Sequence, residues 1–351
     1  MKKTILITGG CGFIGSNFIR ILIKNPEVSI INLDALTYAG NPDSLFEAKD
    51  HPNYTFIHGN ITDRRILEQI YDSYTPHAVI NFAAESHVDR SIRGPEVFIE
   101  TNIIGTFKLL EATRNYWDNL NETAQSEFRF LHISTDEVYG SLDNNAPSFS
   151  EKTPYSPRSP YSASKAASDH LVKAWHETYG LPTLITNCSN NYGPAQFPEK
   201  LIPLIILNAL EGNPLPIYGD GQAIRDWLFV EEHCEAILSV LERGRLGETY
   251  CIGGKSERTN LQVVKTICKL LDTLKPRSDR KSYEDQITFV SERPGHDHRY
   301  AIDTTKIESE LGWKPSLSFE DGLQKTLNWY LANPAWLDGI KNKLSQNMRV
   351  A

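Results

Sequence analysis

The sequence predicts a doubly wound α/β fold, in which helices cover both faces of a parallel sheet. Six short β-rich runs alternate with helical patterns through the first half of the chain. These runs are almost continuously apolar, as is usual for strands buried on both faces of a parallel sheet. The predicted strands are TILIT (4–8), SIINLD (29–34), YTFIHGN (54–60), HAVINFAA (77–84), FRFLHIST (128–135) and PTLITNC (182–188).

The segments between these strands predict amphipathic helices. After the first and the third strand, apolar side chains recur every three or four residues, which is the spacing of one helix face. These residues are Ile14, Phe18, Ile21 and Leu22 in the first segment, and Ile66, Leu67, Ile70, Tyr71 and Tyr74 in the second.

The distribution of proline and glycine predicts a second, smaller domain. Beyond residue 188 the chain contains segments such as NYGPAQFP, GNPLPIYGDGQ and ERPGHDH, which divide it into shorter elements. We expect residues 1–187, with a returning segment near 220–252, to form the sheet domain. Residues 188–219 and 253–351 then form a smaller C-terminal domain over the C-terminal edge of the sheet.

The composition excludes several classes of protein. The chain has 351 residues, of which 40% are hydrophobic and 23% charged, and a net charge of -8, which argues against a nucleic-acid partner. No apolar stretch reaches the roughly 18 to 20 residues of a membrane span, and the N-terminus lacks the pattern of a signal peptide. We therefore expect a cytoplasmic protein with no membrane partner.

The cysteines indicate neither disulfides nor a metal site. They are odd in number, widely scattered and without the spacing of metal ligands. We expect reduced thiols in the core and no metal. The five residues are Cys11, Cys188, Cys234, Cys251 and Cys268.

The segment TGGCGFIG (8–15) predicts a dinucleotide site, because it follows the first strand and opens the first helix. Gly9, Gly12 and Gly15 permit a tight turn, close approach of the backbone to a pyrophosphate and close helix packing, as in a Rossmann-type fold. Asp34 ends the second strand, 19 residues after Gly15, where a carboxylate accepts hydrogen bonds from the adenosine ribose. Because that carboxylate repels a 2'-phosphate, the expected cofactor is NAD and not NADP.

The segment YSASK predicts a catalytic base. Tyr161 and Lys165 are four residues apart and therefore share a helix face. An ammonium beside a phenol favours the phenolate, so we expect a lowered pKa for Tyr161. The preceding predicted strand ends in Ser134 and Thr135, and together with the glycine motif this context points to oxidation of an alcohol.

These motifs resemble the extended branch of the short-chain dehydrogenase/reductase family, and the resemblance covers nearly the whole chain. It implies an NAD-bound Rossmann-type domain in which Tyr161 deprotonates a hydroxyl as hydride leaves its carbon. It also implies that Lys165 holds the nicotinamide ribose. A homodimer formed through helices near 97–117 and 161–179 is a further implication.

The segment HISTDEVYG (132–140) carries two adjacent carboxylates, Asp136 and Glu137. A nucleotide-sugar 4-epimerase needs no acid or base beyond tyrosine, whereas loss of water after oxidation at C4 needs a base for the C5 hydrogen and an acid for the C6 hydroxyl. Closely spaced carboxyls resist ionising together, so one can stay protonated. The residues alone leave open which one is the acid. Resemblance to the 4,6-dehydratases implies that Asp136 is the acid, that Glu137 is the base and that Thr135 hydrogen bonds near the C4 oxygen.

Four further segments resemble the dehydratases that act on dTDP-glucose. These are AAESHVDRSI (83–92), SNNYGPAQFPEKLIP (189–203), GDGQAIRDWLFVEEH (219–233) and ERPGHDHRYAID (292–303). The expected substrate is dTDP-glucose, and the smaller domain is expected to bind it. A UDP-sugar 4,6-dehydratase and an NAD-dependent 4-epimerase remain the alternatives, and the pathway served, rhamnose or another deoxysugar, stays open.

The resemblance also implies which residues line the two binding regions. The residues expected at the nucleotide sugar are Ser86, Thr135, Asn190, Glu199, Lys200, Leu201, Pro216, Ile217, Tyr218, Arg225, Asn260, Arg293 and His296. Arg225, Arg293 and His296 are the cationic donors that a diphosphate requires. The residues expected at NAD are Gly9, Gly12, Phe13, Ile14, Gly15, Asp34, Ala35, Leu36, Thr37, Asn60, Ile61, Phe82, Ala83, Ala84, Glu85, Ser86, Thr101, Tyr161, Lys165 and Asn191.

Three positions depart from the family pattern. Asn60 stands where the family usually has an aspartate facing adenine; its amide oxygen can still accept from the adenine amino group, so we expect NAD to be retained. Cys11 replaces the usual alanine in the glycine loop, and Ala223 stands where an asparagine is common.

Overall fold

A computed structural model describes residues 2–292 and 297–350 of the chain. The strands are β1 Lys3–Thr8, β2 Val28–Asp34, β3 Tyr54–His58, β4 Ala78–Asn81, β5 Arg129–Thr135, β6 Thr183–Cys188, β7 Asn190–Tyr192, β8 Leu215–Tyr218, β9 Ile224–Phe229, β10 Thr249–Ile252, β11 Glu257–Thr259 and β12 Ile287–Val290. Six of these correspond to the predicted runs. The strand predicted at 77–84 ends earlier, at Asn81, because residues 82–86 turn away to form a wall of the cleft described below.

The helices occupy the segments between the strands, as the apolar spacing predicts. They are α1 Phe13–Leu22, α2 Arg64–Tyr74, α3 Val88–Arg93, α4 Glu96–Phe98, α5 Thr106–Asp118, α6 Glu122–Glu127, α7 Pro160–Tyr179, α8 Leu201–Glu211, α9 Val230–Arg243, α10 Asn260–Leu274, α11 Thr305–Leu311, α12 Phe319–Ala332 and α13 Pro334–Val350. Short 3-10 helices lie at Pro42–Leu45, Asp136–Tyr139 and Tyr283–Gln286, and a π-helix lies at Ile99–Gly105.

Seven strands form the main sheet, in the order β10-β6-β5-β4-β1-β2-β3. Every neighbouring pair in it is parallel. Ile5 and Ile7 pack on one face with α1 and α9, whereas Leu6 packs on the other with α2, α5 and α7. The doubly wound α/β fold is therefore confirmed. Since the strand order reverses between β1 and β4, a crevice opens at their carboxyl ends, where such sheets bind ligands.

A second hydrophobic core lies on the carboxyl side of the chain. It is built from α8, α10 and α12 together with β8 and β9. The associated strands form a three-stranded sheet, β11-β9-β7, and a two-stranded sheet, β12-β8. β10 returns to the edge of the main sheet beside β6, while β9 stays with the smaller one. Within the described residues, no helix is both long enough and apolar enough to cross a membrane.

Candidate active site

One cleft of about 500 Å³ runs from the glycine loop of β1 to the second core. It brings together residues that are far apart in sequence. Every residue predicted for catalysis, cofactor or substrate lines this cleft, except three. Leu36 is absent from the lining, and Arg293 and His296 lie outside the described residues.

The glycine loop is packed too closely for side chains. Gly9 has a φ of 73°, and a Cβ there would lie 2.6 Å from the backbone nitrogen of Ala83. A Cβ on Gly15 would lie 2.5 Å from the carbonyl oxygen of Gly9. Gly12 is the N-cap of α1 and has no side chain to cap it, so the first N–H groups of the helix remain available to an anion.

Asp34 closes the other side of the same loop. Its carboxylate accepts hydrogen bonds from the backbone nitrogens of Cys11 and Leu36, both at 2.8 Å. Burial raises the pKa of Asp34, and these two hydrogen bonds oppose that effect. Asn32 supports the loop in a similar way, since its side-chain oxygen accepts from the Gly10 nitrogen at 3.0 Å. Sequence reasoning missed Asn32, which carries no recognised motif.

The segment 82–86 is held in place by Asn102 on the π-helix. The Asn102 side chain accepts from the backbone nitrogen of Glu85 at 2.9 Å and donates to its carbonyl oxygen at 3.0 Å. It also donates to Ser164 of α7 at 2.8 Å. The buried amide of Asn102 therefore joins the cofactor side of the cleft to the helix that carries Tyr161. Its position on a π-helix is typical of functional sites.

The two carboxylates follow β5, within the 3-10 helix Asp136–Tyr139. The Thr135 hydroxyl accepts from the Glu137 nitrogen at 3.2 Å and donates to Asp136 at 3.3 Å. Asp136 is only 2% exposed, whereas Glu137 is half-buried. Burial, and then the charges of Glu137 and Asp226, raise the pKa of Asp136 well above its ordinary value, against a smaller opposite effect of Arg225. Asp136 is therefore a carboxyl whose protonated form the site favours.

Tyr161 and Lys165 lie in the first turns of α7. Pro160 starts this helix, and Ser159 caps it through a reciprocal hydrogen-bonding box with Ser162, a standard N-terminal arrangement. Burial and the charge of Glu137 raise the pKa of Tyr161, and a hydrogen bond with Thr135 opposes them. The predicted lowering of this pKa is therefore wrong. The Lys165 ammonium instead donates to the carbonyl oxygen of Ile133 at 2.8 Å.

The sugar side of the cleft contains a contact that sequence reasoning missed. The Tyr38 hydroxyl donates to Glu199 at 2.8 Å, and the Arg90 guanidinium lies 3.8 Å from the centre of the Tyr38 ring. The Lys200 ammonium donates to the carbonyl oxygen of Ser86 at 2.9 Å. These contacts join the segment after β2 and the segment 82–86 to the loop before α8.

Arg225 is buried more deeply than an arginine that binds a diphosphate at the protein surface. It is 5% exposed, its guanidinium lies 4.4 Å from the centre of the Tyr300 ring, and it donates to the carbonyl oxygens of Ile224 and Asp297 at 2.7 and 2.9 Å. Arg225 still lines the cleft, so its role at a diphosphate stays a prediction.

Several other lining residues were not predicted from the sequence. They include Tyr38, His87, Ile133, Cys188, Ser189, Gln196, Phe197, Trp227 and Tyr300. Six of these lie within the four segments that resemble the dehydratases but were not singled out there. Among the described residues, no group of three or more His, Cys, Asp or Glu side chains is arranged to hold a metal ion.

The chain is similar to known proteins over almost its whole length. A family model described as GDP-mannose 4,6 dehydratase matches residues 6–326. The dTDP-glucose 4,6-dehydratase of Shigella flexneri is 58% identical over 351 residues, which cover 98% of this chain and 97% of that protein. The chain belongs to the dTDP-glucose 4,6-dehydratase family. This assignment also confirms the resemblance to the extended short-chain dehydrogenase/reductases.

Solved structures of dTDP-glucose 4,6-dehydratases share the fold. The enzyme from Bacillus anthracis, in complex with NAD, is 46% identical with a TM-score of 0.84, over 96% of this chain and 99% of that one. The enzyme from Streptomyces venezuelae, also with NAD bound, is 45% identical with a TM-score of 0.86 and the same coverage.

The residues of the cleft fit NAD, the cofactor of this dehydratase family. The uncapped start of α1 and the closely packed glycines leave backbone N–H groups facing the space a pyrophosphate needs. Glu85 Oε2, Ser189 Oγ and Asn190 Oδ1 are buried polar atoms without a hydrogen-bond partner among the described residues, and all three residues line the cleft. Buried polar atoms left unpaired in this way are what a polar ligand would satisfy.

Proposed function

We propose that this protein converts dTDP-glucose to dTDP-4-dehydro-6-deoxyglucose and water. The observation that carries the proposal is the buried Asp136, whose pKa is raised, beside half-buried Glu137, in one cleft with Tyr161 and the glycine loop. Such a site contains a base for an alcohol and a separate acid–base pair. That is the set of groups that oxidation followed by loss of water requires.

Tyr161 is the base for the C4 hydroxyl. Its ionised phenol takes the hydroxyl proton, and Thr135, which hydrogen bonds to it, holds the C4 oxygen. Lys165, one helical turn away, would hold the nicotinamide ribose, and its ammonium would favour the ionised phenol. NAD, when bound, supplies the hydride acceptor for C4 and the hydride donor for C6.

Asp136 and Glu137 perform the elimination. Once C4 is a ketone, Glu137 takes the C5 proton, and Asp136 gives its proton to the departing C6 hydroxyl, which leaves as water. Glu137 then returns a proton to C5 when C6 is reduced. The environment of each group supports this assignment. Asp136 is fully enclosed and holds its proton, as a general acid must. The half-buried Glu137 retains access to solvent.

The proposed substrate contacts lie on the far side of the cleft. Ser86, Asn190, Glu199, Lys200, Leu201 and Asn260 are assigned to the sugar and nucleotide, and Pro216, Ile217 and Tyr218 to the base. Their common position on the cleft lining supports this assignment. Arg225 is assigned to the diphosphate, together with Arg293 and His296.

The carboxylates separate this proposal from a 4-epimerase. An epimerase must let the intact 4-keto sugar rotate in the site. Burying an acid next to C6 costs free energy, and an epimerase would have no use for such an acid. Discrimination between dTDP and UDP depends on the base contacts, so a UDP-sugar 4,6-dehydratase remains the alternative for substrate.

We also propose a homodimer in the cytoplasm. Four side chains on the helices expected at the interface are large, apolar and exposed: Val97 (43%), Ile99 (43%), Phe107 (40%) and Tyr179 (46%). Apolar groups clustered on a surface often mark an interface between protein chains. All five cysteines are buried free thiols, which suits a reducing compartment.

A product assay tests the proposed function. The protein is incubated with dTDP-glucose and NAD, and the nucleotide sugar is analysed by mass spectrometry. The proposal predicts a product lighter than the substrate by one water, carrying a ketone at C4. Appearance of only the galacto epimer, with unchanged mass, would reject it.

A further inference from the structure

A network of buried ionisable groups lies directly behind the Tyr161–Lys165 pair, and the mechanism above uses only one of them. His132, Lys165 and Asp169 are 1%, 3% and 2% exposed, respectively. Burying charged groups is costly unless they compensate one another. We therefore asked which group balances the Lys165 ammonium.

His132 stands between Lys165 and Asp169. Its Nε2 atom is 3.2 Å from Lys165 Nζ and 3.4 Å from Asp169 Oδ1. On the other side of the ring, Nδ1 is 3.1 Å from the side-chain nitrogen of Asn81. The Nε2 side of the imidazole therefore lies beside both the ammonium and the carboxylate, while Asn81 holds the other side of the ring.

The second carboxylate oxygen of Asp169 is fixed by three donors. Ser134 Oγ donates to it at 2.8 Å, the Tyr155 hydroxyl at 2.9 Å and the Asn187 amide at 3.2 Å. These hydrogen bonds anchor the carboxylate. They leave Oδ1, which has no hydrogen-bond partner among the described residues, on the side of His132.

The electrostatics of the network agree with this geometry. Burial lowers the pKa of Lys165 to about 8, while Asp169 and then Cys188 act to raise it. Burial and the charge of Lys165 lower the pKa of His132 to about 4, so the ring is neutral at physiological pH. Of the groups that face Lys165 from α7, β5 and β6, which include Tyr161, His132 and Cys188, Asp169 provides the principal compensating charge.

We propose that Asp169, with His132 between them, is a positioning residue that keeps Lys165 protonated and directed along the floor of the cleft. The catalytic consequence rests on the proposed function, because it concerns the part of Lys165 in activating Tyr161. The pairing of the two buried charges does not depend on it. A neutral amine at Lys165 would no longer favour the ionised phenol.

A double-mutant cycle on stability tests the pairing without any assay of activity. Asp169→Asn leaves a buried ammonium without its counter-charge, and Lys165→Met leaves a buried carboxylate. The double variant Lys165→Met/Asp169→Asn removes both charges. We expect it to unfold at a higher urea concentration than Asp169→Asn alone, since breaking a buried pair costs more than replacing it.

The cycle is decisive even when one variant folds poorly. Recovery of folded protein in the double variant, where Asp169→Asn alone yields none, is the extreme form of the expected result. The pairing would be overturned if the losses of stability of the two single variants simply added in the double variant. It would also be overturned if the double variant failed to fold while Lys165→Met folded.

The pH profile of C4 oxidation tests the catalytic part. In a loaded enzyme that forms NADH, loss of the Lys165 proton gives the alkaline limb of the profile. Removing the Asp169 charge should lower the midpoint of that limb by about one pH unit or more. Tyr155→Phe is the matched control, because it removes one hydrogen bond to Asp169 but no charge, and its midpoint should not move. A uniform loss of rate in Asp169→Asn with an unchanged midpoint would show that Asp169 is only structural.

Discussion

Burial assigns different roles to two chemically similar neighbours. Asp136 is buried and close to Glu137 and Asp226, so its pKa is raised well above its ordinary value. Glu137 is the next residue, yet it is half-buried. The difference arises at the start of a 3-10 helix, which turns one side chain into the protein and leaves the next nearer the cleft. The sequence alone leaves acid and base undetermined, and the structure supports Asp136 as the acid.

The raised pKa of Asp136 predicts that Asp136→Asn becomes relatively more stable as pH rises. The neutral Asp136 carboxyl stabilises the folded protein fully at a pH below the pKa that it has in the unfolded chain. This stabilisation is lost as the pH rises through the higher pKa that it has in the folded protein. The asparagine of the variant stays neutral throughout. The advantage of the variant in free energy of unfolding should therefore grow as pH rises above the ordinary carboxyl pKa. Urea unfolding at several pH values measures it.

The control for that experiment is Asp50→Asn, which changes an exposed carboxyl. Its stability curve should run parallel to that of the unaltered protein. A parallel curve for Asp136→Asn as well would mean that Asp136 is ionised in the folded protein, and the acid assignment would fail.

Tyr161→Phe tests the base at C4. Removing the phenolic oxygen should slow the formation of NADH from dTDP-glucose by about 100-fold to 10,000-fold, the usual contribution of a general base. Single-turnover absorbance measures this step directly. Tyr74→Phe, on α2, is the control and should keep the normal rate; a similar rate for Tyr161→Phe would exclude this residue as the base.

At the scale of elements, the glycine loop and α1 form one unit. Gly9 and Gly15 pack against backbone atoms with no room for a side chain, and the Asp34 carboxylate on β2 accepts from the loop nitrogen of Cys11. The loop could be predicted because this spacing has a specific physical cause. The hydrogen bonds of Asn102 could not be predicted, because a π-helix has no comparable sequence pattern. The Asn102 side chain donates to Ser164, which lies 62 residues away.

Gly15→Ala should weaken NAD binding while the protein remains folded. Its Cβ would lie 2.5 Å from the Gly9 carbonyl oxygen, so the loop must shift away from the position that suits a pyrophosphate. Calorimetric titration should show a dissociation constant higher by about tenfold or more, which corresponds to about 1.4 kcal/mol. Gly339→Ala, where no atom lies within 4 Å of the added Cβ, should bind NAD normally. Unaltered binding by Gly15→Ala would contradict the fit of the loop to the cofactor.

At the scale of the molecule, most of the fold followed from local patterns, whereas part of the site did not. Buried parallel strands leave a clear apolar signature, so six strands of the main sheet were predicted with small errors at their ends. Contacts such as Tyr38 with Glu199 join residues 161 positions apart and have no local signal. The lowered pKa expected for Tyr161 was wrong because burial and the charge of Glu137 raise this pKa, and helical spacing reveals neither of them.

The exposed apolar side chains on α4, the π-helix, α5 and α7 predict that Phe107→Asp disrupts the proposed dimer. A carboxylate at an apolar contact would be buried without a partner. Light scattering after size-exclusion chromatography should report a monomer for the variant and a dimer for the unaltered protein. Asp50→Asn serves again as a surface control. A monomer for the unaltered protein would contradict the proposed dimer.

The central claim is that Asp136 and Glu137 turn a reversible alcohol oxidation into loss of water. The most direct test is the double variant Asp136→Asn/Glu137→Gln, mixed with dTDP-glucose and followed by NADH absorbance and by the mass of the product. The account predicts that NADH still forms, through Tyr161, while the product lighter by one water is lost. Continued loss of water, or loss of NADH formation along with it, would contradict the roles assigned to the two carboxylates.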